Sequence, residues 1–196
     1  MSPKSKEQFD EIRQKSREKI MEVALPLFAE NGYHNTSISK IAKSASVSKG
    51  LMYNYFESKE DLLHQIVAEA INEFEKVEAM LNSMEGTAAE KLRWTTEMAI
   101  QLVTSDVKHW KFLTLLGLQT DVLTSLKDLL KVKTENAMAL TATLFEEMGF
   151  ANARQEAYIY GAMLDGMLLQ YVLMSELDME YPLEEMTQVI FERYNL

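Results

Sequence analysis

Apolar residues recur at three- and four-residue intervals along most of this 196-residue chain, and no stretch alternates apolar with polar as a half-buried strand would. That spacing leaves helices packed on helices as the available architecture. Leu62, Leu63, Ile66, Ala70, Phe74, Val77 and Leu81 keep it through one segment, and Leu123, Leu126, Leu130, Ala137, Leu140, Leu144 and Met148 through another. Breaks are sparse, with 7 Gly and 3 Pro against 13 Met, so an all-α fold is expected. Helices are predicted at about 10–31, 37–44, 48–54, 58–80, 88–104, 107–117, 120–148, 153–176 and 183–194. Ile20, Val23, Ala24, Leu27 and Phe28 form the buried stripe of the first, Gly32 stops it, and Pro26 within it predicts a kink.

Several function classes are excluded early. The chain has no Cys, which removes disulfides, thiolate metal sites and Cys nucleophiles. It carries no G-x-S-x-G, phosphate-binding Gly-rich loop or H-E-x-x-H motif, and His34, His64 and His109 are scattered. No catalytic residue, metal or cofactor is therefore expected. The run from Ala157 to Met174 reaches the lower limit for a membrane span. However, Asp165 sits at its centre and no basic cluster flanks it. The N-terminus offers no apolar secretion segment, so a cytoplasmic protein without a membrane partner is expected.

The informative segment is Gly32 to Leu63. A short helix, a tight turn at Ala45-Ser46-Val47 and a second short helix from Ser48 follow each other there. Ile41, Ala42, Ala45, Val47 and Leu51 have the spacing to pack both helices on a third, leaving a polar outer face. Such a helix-turn-helix places its second helix in the DNA major groove. Ser37 and Ser48 are the expected N-caps, so two helix N-termini can face phosphates. Lys40, Lys43, Lys49 and Lys59 supply cations, while Tyr53, Asn54 and Tyr55 offer hydrogen-bonding groups. The net charge of -10 is no obstacle. Residues 1–64 hold 10 basic against 9 acidic side chains, net +1, and the rest holds 10 against 21, net -11. A helical protein-interaction module that uses the same surface for docking is the alternative.

The segment resembles the DNA-binding domain of the tetracycline-repressor (TetR/AcrR) family. The resemblance lies in Phe28, Gly32-Tyr33, Thr36-Ser37, Ile41-Ala42, Val47-Ser48, Gly50, Tyr53, Tyr55-Phe56, Lys59 and Leu62. It implies a double-stranded DNA operator as partner. Thr36, Ser37, Tyr53, Tyr55 and Lys59 would hold phosphates, and Lys49, Gly50, Leu51 and Asn54 would lie nearest base edges. Two positions depart from the family pattern. Ser46 replaces the Gly usual in the turn, and Lys40 stands where an acidic residue often completes the capping box.

By the same resemblance, residues 14–74 form the DNA-binding domain, with the helix-turn-helix at about 37–56, and 75–196 a helical regulatory and dimerisation domain. The fourth helix is shared between them, so a ligand that repositions its far end would swing the DNA-binding head. Homodimers of this family pair through their last two long helices. Gly161 and Gly166 permit close approach within the apolar run, with Asp165, Leu168 and Val189 as further interface candidates. Asp165 faces either that interface or an internal cavity. The family also implies a small-molecule site, here for a lipophilic effector, with Phe74, Trp94, Met98, Trp110, Met138, Met163, Met167 and Tyr171 as pocket candidates.

Overall fold

The computed structural model describes residues 6–196. Among them there are nine helices and no strand: α1 (Lys6–Asn31), α2 (Ile38–Ala45), α3 (Lys49–Met52), α4 (Lys59–Ser83), α5 (Ala88–Ser105), α6 (Val107–Gly117), α7 (Thr120–Glu147), α8 (Ala153–Glu176) and α9 (Leu183–Tyr194). The all-helical class is thus observed. Most boundaries lie within a residue or two of those expected, because caps written locally in the chain set them. The side chain of Thr87 accepts from the Glu90 amide, and the Glu90 carboxylate accepts in return from the Thr87 amide, a complete capping box at α5. Those hydrogen bonds hold the Glu90 carboxyl below its ordinary range. Gly149 (φ +87°) closes α7, its amide on Glu146 O at 2.9 Å and the Phe150 amide on Phe145 O at 3.0 Å. One difference stands out: α3 is only one turn long; α1 runs as one helix with Pro26 inside it, as expected.

The chain divides into two compact units. The first comprises residues up to Glu69 together with Phe112–Leu126, and the second Ala70–Lys111 with Lys127–Leu196. The buried side chains of the first unit include Ile20, Met21, Ala24, Leu25 and Phe28 from α1, Ile41, Ala42 and Ala45 from α2, and Leu62, Leu63 and Ile66 from α4. Met21 and Leu25 are buried where the periodicity pointed to Val23 and Leu27, which are only half-buried. Phe112, Leu116, Val122 and Leu126 are also buried in this unit.

The second unit packs around Phe145. Its ring meets Phe150 at 5.2 Å, Tyr160 at 5.8 Å and Tyr194 at 5.0 Å between centroids, in edge-on and tilted arrangements. Leu92, Leu144, Ala157, Met167 and Ile190 also belong to this cluster. Among the described residues, no helix is long and apolar enough to cross a membrane.

Candidate nucleic-acid interface

α2 and α3 owe their orientation to two serine caps and one left-handed residue. The Ser37 hydroxyl accepts from the Lys40 amide at 3.2 Å and the Ser48 hydroxyl from the Leu51 amide at 3.0 Å. Between the helices Ser46 adopts φ 59°, ψ 39°, its amide on Lys43 O at 3.2 Å, while the Val47 amide reaches Ala42 O at 2.9 Å. The turn therefore keeps its left-handed geometry with Ser in the place of Gly. Ile41, Ala42, Ala45 and Met52 are buried beneath it.

The outer face is basic and aromatic. Ser37, Lys40, Lys43, Ser48, Lys49, Gly50 and Asn54 are exposed, and Tyr53 is 51% exposed. No Asp or Glu occurs between Glu30 and Glu57, so no carboxylate from that segment opposes an approaching polyanion. A Cβ at Gly50 would meet only Ser48 Oγ, at 3.9 Å, so this position leaves the surface flat. Leu51 and Tyr55 are half-buried at the edge of the same face.

Two expected contact residues are placed elsewhere. Thr36 is fully buried, and its hydroxyl lies 3.0 Å from both Leu27 O and Gly32 O. A phosphate role for its side chain does not fit that enclosure. The Lys59 ammonium donates to Tyr33 O at 2.7 Å and His34 O at 3.2 Å, and stands 4.3 Å from the Tyr33 ring centroid. Burial there lowers the proton affinity of Lys59, opposed in part by Asp121. Burial, with Glu60 and Asp121 nearby, pushes the Tyr33 phenol up. Both Lys59 and Thr36 secure the connection between α1 and α2.

One residue of the face lies outside the Gly32–Leu63 segment. Arg13 donates to Asn54 O at 3.2 Å, with its guanidinium carbon 5.8 Å from the Tyr55 ring centroid. The available signal was positional: Arg13 precedes the buried Ile20 by two helical turns and so extends the same side of α1.

The other candidates separate into small groups within the second unit. Phe74 and Trp110 meet edge-on at 5.3 Å, Trp94 and Met163 pack on the core, and Tyr171 faces Tyr181 at 6.4 Å. Met138 closes the space beside Gly161, where a Cβ would sit 3.2 Å from Met138 Cε. Gly161 thus makes room for α7, within its own chain. Met98 is half-buried, and Met167 is buried, its sulfur 3.9 Å from the Thr187 hydroxyl. A cavity of about 680 Å³ is lined by Thr104, Tyr171 and residues 180–185, and an adjoining one of about 450 Å³ includes Glu97, Ile100, Thr187 and Phe191. Of the eight pocket candidates, Tyr171 alone lines either of these two. Asp165 and Val189 are exposed, Leu168 is half-buried, and a Cβ at Gly166 would meet open space. Among the described residues, no group of three His, Asp or Glu side chains could hold a metal ion.

The chain is similar to known proteins in two ways. A family model described as "Bacterial regulatory proteins, tetR family" matches residues 20–66. The fatty acid metabolism regulator protein of Bacillus subtilis (strain 168) is 39% identical over 88 residues, which span 44% of this chain and 45% of that protein. The chain therefore matches less than half the length of that relative. Among solved structures, a transcriptional regulator from Aquifex aeolicus VF5 aligns with TM-score 0.65 and 25% identity, covering 92% of this chain and 98% of the other. FadR from Bacillus subtilis in complex with stearoyl-CoA aligns with TM-score 0.65 and 23% identity, covering 90% and 96%. At that identity the second structure speaks for the fold alone.

Proposed function

We propose that the chain is a member of the tetracycline-repressor family of bacterial regulators, whose family model matches residues 20–66, and that it is a homodimeric, cytoplasmic DNA-binding repressor. It leaves a palindromic operator when a small molecule binds its C-terminal domain. The observation that carries this reading is the pair of serine-capped helices on a surface with exposed Lys40, Lys43 and Lys49 and no carboxylate between Glu30 and Glu57. Free amides at two capped N-termini and nearby ammonium groups are the chemistry a phosphate backbone requires. Ser37, Ser48, Tyr53 and Tyr55 hold phosphates, and Lys49, Gly50, Leu51 and Asn54 meet base edges. Thr36 and Lys59 act one step back, by holding the α1–α2 connection.

A second copy of the chain covers the exposed apolar positions of α8 and α9, where Tyr158 is 54%, Leu173 50% and Val189 58% exposed. The effector is lipophilic. The Bacillus subtilis relative is named for fatty acid metabolism and the FadR structure from Bacillus subtilis holds stearoyl-CoA, so a long-chain acyl thioester is the first to test, with stearoyl-CoA as the probe. A coupling of about 1–3 kcal/mol between the sites would change operator affinity about 5–150-fold.

In vitro selection from a randomised duplex library tests the reading. The recovered sequence should be palindromic, with half-sites about one helical turn apart. Binding to it should weaken steeply with salt. Recovery of no sequence above background removes the DNA-binding reading. Tight binding of stearoyl-CoA with unchanged operator affinity removes this molecule as the releasing effector.

A further inference from the structure

The corner between α6 and α7 belongs to the first compact unit, although it lies far along the chain from the matched segment at residues 20–66. Gln119 in that corner uses both ends of its amide. Its Nε2 donates to Phe28 O at 2.9 Å, and its Oε1 accepts from the Tyr33 amide at 2.8 Å. Those partners bracket the end of α1, where Asn31 is the last helical residue and Gly32 turns left-handed at φ +83°. The last carbonyls of a helix lack intrahelical partners, and the Tyr33 amide lies beyond the end of α1. One planar amide here supplies a donor and an acceptor together, and only one orientation of it satisfies both partners.

The same connection is held from its other side. Lys59 donates to the carbonyls of Tyr33 and His34, and His34 Nε2 lies 3.3 Å from Asp121 Oδ2, two residues beyond Gln119. The Thr36 amide donates to Tyr33 O at 3.3 Å, and the next residue is Ser37, the cap of α2. The position of the α2 N-terminus is therefore set by bonds that converge on Tyr33.

We propose that Gln119 is a positioning residue for DNA binding, fixing the α1–α2 connection so that Ser37 and the start of α2 are presented in one geometry. The inference rests on the DNA-binding reading above. Gln119 touches no DNA itself. Without it the connection samples other arrangements, and apparent affinity falls in proportion to the fraction that remains competent.

The test uses the full chain and the duplex recovered by selection. Gln119→Ala should weaken binding by about tenfold, uniformly across operator variants and with an unchanged salt slope, as a roughly twofold excess of incompetent arrangements in each protomer of the dimer would produce. Hydrogen exchange at the Tyr33 amide should accelerate, while amides of α8 keep their protection. Gln119→Glu separates positioning from a general loss of fold. Its ionised carboxylate still accepts from Tyr33 but opposes Phe28 O, whereas the protonated form can donate to it. Its affinity should therefore be low at pH 8 and recover towards pH 5.5. Each value is divided by that of the unsubstituted protein at the same pH, so that pH effects common to both cancel. Binding of Gln119→Ala within twofold of the unsubstituted protein, or a Gln119→Glu deficit that ignores pH, overturns the inference and leaves the DNA-binding reading standing. Failure of the unsubstituted protein to select any duplex overturns both.

Discussion

Ser46 shows how one side chain carries a backbone cost. At φ 59°, ψ 39° it occupies the left-handed region where Gly is favoured, and an L-residue there is strained by about 1–2 kcal/mol. Gly would relieve that strain but loses about 0.5–1 kcal/mol through the greater freedom of the unfolded chain. Ser46→Gly should therefore raise stability by about 0.5–1 kcal/mol, read from urea unfolding; a loss of stability would show that Ser46 makes a compensating interaction. Tyr160 carries its cost in ionisation. The Thr96 hydroxyl donates to Leu92 O at 2.7 Å, which leaves Tyr160 to donate to Thr96 Oγ1. Burial pushes the Tyr160 phenol up to about 12 from 10.0. The folded state thus holds this proton more tightly than the unfolded state. The resulting stabilisation is fully present below pH 10 and is lost as pH rises from 10 to 12. Tyr160→Phe should remove that part of the alkaline loss, on the order of 2 kcal/mol. At pH 7 it should cost about 1 kcal/mol or less, since Thr96 keeps its bond to Leu92. An unchanged slope of stability against pH between 10 and 12 would count against this assignment.

At the scale of elements, what was readable in advance divides by the range of the interaction. Helix existence and ends were legible because caps act within a turn: Ser37, Ser48 and Thr87 each accept from an amide three residues on. The outer face of the helix-turn-helix was legible for the same reason, as periodicity separates buried Ile41, Ala42 and Ala45 from exposed Lys40 and Lys43. Thr36, Lys59 and Gln119 were not, because their partners lie 4 to 91 residues away and a lysine bound for carbonyls looks like one bound for phosphates. Gly161 and Gly166 also look alike in the chain, yet Met138 fills the space at the first and nothing occupies it at the second. That difference makes a prediction about α8. Gly166→Ala should stabilise the isolated chain by up to about 1 kcal/mol through helix propensity. If a second copy approaches α8 closely at this point, the same methyl should weaken the dimer. Opposite signs in thermal unfolding and in sedimentation equilibrium are expected. Stabilisation with an unchanged dimer constant would place the interface away from Gly166.

For the whole molecule, the net charge of -10 hides a division that bears directly on DNA. The first 64 residues are at +1 and the remainder at -11, so the excess negative charge lies outside the segment that carries the helix-turn-helix, and the net charge does not oppose a polyanion there. Not every cation on the near side contributes equally. Lys40 is exposed on α2 beside the Ser37 cap, whereas the Lys59 ammonium is committed to Tyr33 O and His34 O. Counterion release registers charges that neutralise phosphates, with the logarithm of affinity falling by about 0.9 per phosphate for each logarithmic unit of salt. A dimer loses two such contacts with each substitution. Lys40→Ala should flatten the salt slope by about 1.8 units. Lys59→Ala should lower affinity at every salt concentration and leave the slope where it was, because its loss loosens the α1–α2 connection without removing a phosphate contact. Titration of both variants against the selected duplex from 50 to 300 mM salt, on the order of the range where counterion release dominates, distinguishes the two roles. Equal flattening by the two variants would mean that Lys59 leaves its carbonyls to meet a phosphate when DNA arrives.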